Sequence, residues 1–105
     1  MDIVNEYLLD PTNTLLHGSY PIRRKVTCED GFSISVQANR SAYSIPRDNS
    51  GPWSTVECGY PSAIPGEALL EYAEDKDNPL DTVYGYVPIT VVVAELESHG
   101  GIKND

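Results

Sequence analysis

The alternation of side chains between positions 32 and 39 constrains the fold more than any other feature of this sequence. Apolar residues at every second position are separated by polar ones: Phe32, Ile34, Val36 and Ala38 alternate with Ser33, Ser35, Gln37 and Asn39. A period of two is typical of a strand with one face in the core and the other in water. Residues 24–28 precede it as a second strand, and the Asp30-Gly31 turn between them is a strong hairpin signal. The sequence therefore predicts an antiparallel hairpin with Val26 and Cys28 on its buried face.

Residues 54–60 are predicted to form a third antiparallel strand. Val56, Cys58 and Tyr60 alternate with polar or small residues and define an inward face, and Pro61 ends the strand. Residues 82–87 follow as a fourth strand, because β-branched and aromatic residues dominate them.

The fourth strand is predicted to carry Tyr84 and Tyr86 on one face and valines on the other. Two interpretations of these tyrosines stay open. They form an aromatic patch that extends to Tyr43 or Tyr60, or they lie under a helix as part of the core.

The loop at residues 40–53 is polar and contains two prolines and a glycine. Arg40, Tyr43, Arg47 and Trp53 are residue types that recur as anchors in binding interfaces. Trp53 could instead plug the edge of the sheet.

Three helical segments complete the chain. Residues 2–9 form one or two turns, residues 64–74 form a helix with a proline in its first turn, and residues 88–101 form a helix that ends in a glycine cap. The stripe of the last helix consists of Ile89, Val92, Val93 and Leu96. The predicted fold class is α+β, with the order (α)βββαβα and an antiparallel sheet of about four strands with helices packed on one face. We expect a single domain over residues 1–105, with a poorly defined N-terminal segment (1–22) and a C-terminal tail (103–105).

The charge is strongly acidic and unevenly distributed. Sixteen acidic residues against seven basic ones give a net charge of −9, and residues 57–105 hold ten of those acids but only two basic residues, which leaves that half at −8. Nucleic-acid binding depends on neutralising phosphates, so this balance disfavours direct contact with DNA or RNA. The acids are either a solubilising surface or a negative patch that docks on a basic partner.

The second interpretation gives a set of candidate partner-binding residues. The set is Glu67, Glu71, Glu74, Asp75, Asp77, Asp81, Tyr84, Tyr86 and Trp53. The expected partner is a host protein or protein complex with a basic surface. The chain itself is expected to be a monomer or a homodimer.

Reactive side chains are few and widely spaced. Cys28, Cys58, His17 and His99 lack the close pairs of a structural zinc site, so the cysteines are expected to be free thiols. A Cys58–His99 nucleophile pair remains an alternative. Residues 75–81 lack the glycine of a calcium-binding loop, and the bidentate glutamate is also missing. We therefore expect no enzymatic activity, no cofactor and no metal site.

Four stretches resemble a family of small uncharacterised proteins encoded by bacteriophages and prophages. They are GFSISVQANRSAYSIPR (31–47), VECGYPS (56–62), YAEDKDNPLDTVYGYVP (72–88) and ESHGGI (97–102), of which YGYVP and HGGI are the most distinctive. The resemblance covers most of residues 26–102 and leaves out the first 25. It implies an accessory gene product in the host cytoplasm and carries over no catalytic residue. The first segment of the chain has three acids and no basic stretch, and no apolar run approaches the ~20 residues of a membrane span. Both observations agree with that location.

These observations together predict a small acidic phage accessory protein that binds a host protein complex. Its most concrete version is an inhibitor of a nucleic-acid-binding defence system, of the anti-CRISPR kind. Two alternatives stay open. One is a structural or assembly role in the virion, and the other is a small enzyme with an unrecognised site.

Overall fold

The computed structural model describes residues 1–16 and 20–103. Within them the elements follow in the order α1 (Ile3–Leu9), a 3₁₀ turn (Pro11–Asn13), β1 (Thr14–Leu16), β2 (Ile22–Arg23), β3 (Val26–Thr27), β4 (Ser33–Gln37), β5 (Thr55–Gly59), α2 (Glu67–Leu70), β6 (Val83–Pro88) and α3 (Ile89–Ser98). Strands β3 to β6 form a four-stranded antiparallel sheet in the order β3-β4-β5-β6, and β1 pairs with β2 in a separate ribbon. The predicted α+β class is confirmed. No helix in the described part of the chain is long and apolar enough to cross a membrane.

The predicted hairpin is confirmed in its turn and its buried face, and its strands are shorter than predicted, at Val26–Thr27 and Ser33–Gln37. Val26 pairs with Ile34 across β3 and β4, and the amide of Cys28 donates to the carbonyl of Phe32 at 2.7 Å to close the turn. Gly31 has a φ of +94°, which a residue with a side chain rarely adopts. The alternating apolar side chains of β4 are buried as the pattern predicts.

One apolar cluster joins the inner face of the sheet to the helices. Val4 and Leu8 of α1, Leu69 of α2, and Val92 and Leu96 of α3 are each 1% exposed and belong to the same cluster as the sheet residues. The helix predicted for residues 64–74 is shorter than expected, since α2 covers only Glu67–Leu70.

A β-bulge in β6 places its two tyrosines on opposite faces of the sheet. Val56 of β5 pairs with Val87, whereas Cys58 pairs with Tyr84, so β6 has one residue more than β5 between these two pairs. Tyr86 takes a φ of +52° and is 44% exposed, while Tyr84 is fully buried. The prediction that the two tyrosines share a face is therefore wrong.

The prediction that Tyr60 shares the strand face of Val56 and Cys58 is also wrong. It follows the last residue of β5 with a φ of +51° and is 49% exposed, instead of continuing the inward face of the strand. Its amide donates to the carbonyl of Thr82 at 3.1 Å, and this bond holds the chain as it leaves the sheet.

The N-terminal segment is tied to the sheet by buried polar side chains. Arg23 of β2 is 5% exposed, and its guanidinium donates to the carbonyl of Leu8 at 3.0 Å and to that of Ala38. It also lies 5.3 Å from the centre of the Trp53 ring. Asn5 accepts a hydrogen bond from the amide of Trp53 at 2.7 Å and donates to its carbonyl at 2.9 Å. Residues far apart in the sequence thus meet around one arginine.

The Arg23→Met variant tests this attachment. Methionine keeps the apolar stem but removes the hydrogen-bond donors, so the two carbonyls that accept from Arg23 lose that partner. We therefore expect the free energy of unfolding to fall by about 2–4 kcal/mol. Urea denaturation followed by circular dichroism measures it. Arg40→Met, at an exposed position, is the matched control and should change the free energy by less than about 0.5 kcal/mol. Equal effects of the two substitutions would show that the Arg23 contacts do not stabilise the fold.

Candidate functional site

The acidic candidate residues all lie on the surface, in one stretch that we call the acidic segment (residues 67–81). All six are exposed: Glu67, Glu71, Glu74, Asp75, Asp77 and Asp81. Lys76 is the one basic residue in the segment, and its ammonium lies 3.8 Å from the Glu71 carboxylate with both side chains well exposed. Such an exposed pair contributes little to stability and leaves most of the negative charge facing solvent.

Three hydrogen bonds attach the acidic segment to β6 and to the residue that precedes it. The amide of Glu74 donates to the carbonyl of Val83 at 3.0 Å, and the amide of Asp75 donates to the hydroxyl of Thr82 at 3.1 Å. The buried Tyr84 reaches outward, and its hydroxyl donates to the carbonyl of Pro79 at 2.7 Å. These bonds give the carboxylates an ordered backbone.

Asp75 has a structural role inside the loop. Its carboxylate accepts hydrogen bonds from the amide group of the Asn78 side chain at 2.9 Å and from the backbone amide of Asp77 at 3.1 Å. These two hydrogen bonds lower the pKa of Asp75 below its ordinary value. Among residues 1–16 and 20–103, no group of three or more His, Cys, Asp or Glu side chains is arranged to hold a metal ion.

Two candidate partner-binding residues are not accessible to a partner. Trp53 is 2% exposed, with its indole N–H donating to the carbonyl of Asp48 at 3.2 Å, and Tyr84 is 0% exposed. Their assignment to a surface is wrong because tertiary contacts that the local pattern does not contain bury them. Both belong to the core, and Tyr84 contributes to the site only by anchoring the acidic segment.

Tyr86 remains on the surface and belongs to what we call the aromatic patch: Tyr43, Arg47 and Tyr86. The rings of Tyr43 and Tyr86 stack with their centres 5.6 Å apart, and the guanidinium of Arg47 lies 5.6 Å from the centre of the Tyr43 ring. A Cβ at Gly85 would lie 3.3 Å from Tyr43 Cδ2, so the close approach of this loop to β6 favours glycine there. Tyrosine and arginine are among the residue types enriched in binding hot spots.

The cysteines are buried and unpaired with each other, as predicted. Burial raises the pKa of both thiols, and for Cys58 the rise is large. The alternative Cys58–His99 pair does not form, because both ring nitrogens of His99 are engaged by carboxylates. His17, the other candidate ligand, lies outside the described residues.

His99 forms a network with two acids that the sequence analysis does not predict. Its Nδ1 lies 2.6 Å from the Asp30 carboxylate and its Nε2 lies 3.0 Å from that of Glu95. The imidazole stacks on Phe32 at 3.9 Å between ring centres. The other oxygen of Glu95 accepts the amide of Gly66 at 2.9 Å. The network joins the hairpin turn, the end of α3 and the start of α2.

Part of this network is visible in the sequence. Glu95 and His99 are four residues apart on a predicted helix, a spacing that places two side chains on the same face. The contact with Asp30 depends on how the hairpin packs against α3, and no local pattern indicates it.

The carboxylates control the charge of His99. Partial burial acts to lower the pKa of the imidazole, but the hydrogen bonds and negative charges of Asp30 and Glu95 outweigh it and raise that pKa above its ordinary value. The pKa of Asp30 is lowered by the hydrogen bond from the Phe32 amide and by the one from His99. We call the charged network of Asp30, Glu95 and His99 the clamp, because it links three structural elements.

The pH dependence of stability tests the clamp. Because the folded pKa of His99 lies above the value of about 6.5 in the unfolded chain, protonation stabilises the fold. This contribution is complete below pH ~6.5 and is lost as the pH rises through the folded pKa. We expect the free energy of unfolding, measured by denaturation over this range, to fall with rising pH.

The His99→Gln variant isolates this contribution. It should lack the part of the pH dependence that His99 supplies, so the wild-type and variant curves should converge at high pH. If the two curves run parallel across the range, protonation of His99 does not stabilise the fold.

Comparisons with known proteins give no indication of function. No family model, no curated protein and no solved structure matches this chain. The acidic segment and the aromatic patch are therefore interpreted from their own chemistry.

Proposed function

We propose that this chain acts by binding, and that its acidic segment docks on a basic surface of a host protein complex. The observation that carries the proposal is the set of six exposed carboxylates between residues 67 and 81, of which only the one on Glu71 forms an ion pair within the described residues. A strongly negative surface accelerates encounter with a positive one and selects against acidic partners.

The fixed backbone of the acidic segment strengthens the argument. Binding a disordered chain costs the conformational entropy of ordering it. Here the bonds of Glu74 to Val83 and of Tyr84 to Pro79 hold the loop before a partner arrives. The carboxylates are thus presented at a smaller entropic cost than a flexible acidic tail would incur.

The most concrete form of the proposal is an inhibitor of a nucleic-acid-binding defence system, of the anti-CRISPR kind, acting in the host cytoplasm. The carboxylates would occupy the basic channel that normally holds phosphates, and the aromatic patch would supply an adjoining contact of Tyr43 and Tyr86. The resemblance of most of residues 26–102 to phage-encoded proteins motivates this version, and the net charge of −9 supports it.

Charge reversal in the acidic segment tests the proposal. The variant Glu71→Lys/Glu74→Lys/Asp77→Lys leaves the structural carboxylate of Asp75 intact. We expect it to lose a partner that wild-type protein captures from infected host cells, as quantified by mass spectrometry. With the purified complex, the association rate should fall by at least roughly tenfold, and it should also fall as salt rises.

The matched control is Glu6→Lys/Glu29→Lys/Glu97→Lys. It reverses the same number of exposed acids and changes the net charge equally. It should retain the partner. Equal loss in both variants would mean that the total charge, and not the acidic segment, governs binding. Retention in the first variant would remove the basis of the proposal.

A further inference from the structure

Three of the seven basic residues surround one cleft. It has a volume of about 400 Å³, and its cationic lining residues are Arg24, Lys25 and Lys103. Two of the four other cations have structural contacts, since Arg23 is buried against carbonyls and Arg47 lies over an aromatic ring. Within the cleft, the Arg24 guanidinium donates to the carbonyl of Thr12 at 3.2 Å. The cleft cations belong to a different part of the chain from the acidic segment.

The walls of the cleft are held by main-chain and side-chain bonds. The amide of Arg24 donates to the carbonyl of Asn13 at 2.8 Å, and the Tyr7 hydroxyl donates to the carbonyl of Arg24 at 3.0 Å. On the other side, the amide of Lys103 donates to the carbonyl of Thr27 at 2.8 Å. The backbone at Arg24 and Lys103 is therefore fixed, and the Tyr7 hydroxyl also lies 3.4 Å from the carbonyl of Lys25.

The positive charge in the cleft is poorly compensated. Within the described residues none of the three cations forms an ion pair. Asp10 is the one acidic residue among those lining the cleft, so one negative charge faces three positive ones. Its carboxylate accepts from the Thr12 amide at 2.9 Å and the Thr12 hydroxyl at 2.8 Å. Like charges that share a cleft repel one another, and an anion relieves that repulsion.

The charges of an adjoining cleft determine which end of a bound ligand faces the basic residues. Its volume is about 610 Å³, and the residues it shares with the first cleft are Tyr7, Asp10, Asn13 and Ile102. It is also lined by the acids Glu6 and Glu97. Those carboxylates repel an anion. The anionic group is therefore directed to the basic end of the first cleft. An apolar body has only the Tyr7 and Ile102 part of the shared wall to pack on.

We propose that the basic cleft binds a small organic anion. Its oxyanion, a phosphate or a carboxylate, contacts Arg24, Lys25 and Lys103, and its apolar body packs on Tyr7 and Ile102. Ammonium and guanidinium groups bind either oxyanion through charge-assisted hydrogen bonds. The site is separate from the proposed partner surface and does not depend on it.

Amide chemical-shift titration by NMR tests the proposal, with phenyl phosphate, phenylacetate and inorganic phosphate as probes. We expect saturable shifts at Tyr7, Thr27 and Lys103 with phenyl phosphate, and weaker binding of inorganic phosphate, which lacks the apolar body. A response to phenyl phosphate alone assigns the site to phosphates, and a response to both aromatic probes assigns it to oxyanions in general.

Neutralising the lysines completes the test. Lys25→Gln/Lys103→Gln should weaken binding of the responding aromatic probe by roughly tenfold or more, and Lys25→Arg/Lys103→Arg should retain it. Arg40→Gln/Lys76→Gln makes the same change in net charge elsewhere and should bind as the wild type does. The proposal fails if no probe gives saturable shifts at these amides. It also fails if the glutamine variant of the cleft binds as tightly as the control.

Discussion

Burial of a single face of the four-stranded sheet is the constraint on which the rest of the structure depends. Fully burying one aliphatic side chain contributes about 1.5–3 kcal/mol, and the inner face of the sheet shares one cluster with all three helices. The edges of the sheet are covered as well. Cys28 pairs with Ile102 beside β3, and Ala73 pairs with Tyr84 beside β6. The segments that carry charge are attached at these covered edges.

The bulge in β6 connects the core to the surface. By adding one residue to the strand, it directs Tyr84 inward and Tyr86 outward. The inward ring fills the core and extends its hydroxyl to the acidic segment at Pro79. The outward ring stacks on Tyr43. The bulge thus positions both surfaces that we assign to partner binding, the acidic segment and the aromatic patch. A regular strand would place Tyr84 and Tyr86 on the same face and could not do so.

Local patterns predict the hairpin and α3 because their periodicity and turn residues lie within a few positions of each other. The same patterns fail at Tyr60 and Tyr86, where bonds to Thr82 and Tyr43 hold the backbone at positive φ. They fail at Trp53 because its partner, Asn5, lies 48 residues away. The acidic segment was predictable from composition, whereas the basic cleft was not, because residues 24–25 and 103 meet only in the folded chain.

The proposed docking surface depends on an acidic segment that is ordered in the free protein. Amide hydrogen exchange tests it most directly at Glu74 and Asp75, whose amides donate to Val83 and Thr82. We expect both to exchange at least about tenfold more slowly than in an unstructured peptide. Exchange at the unstructured rate, with β5 still protected, would contradict the claim.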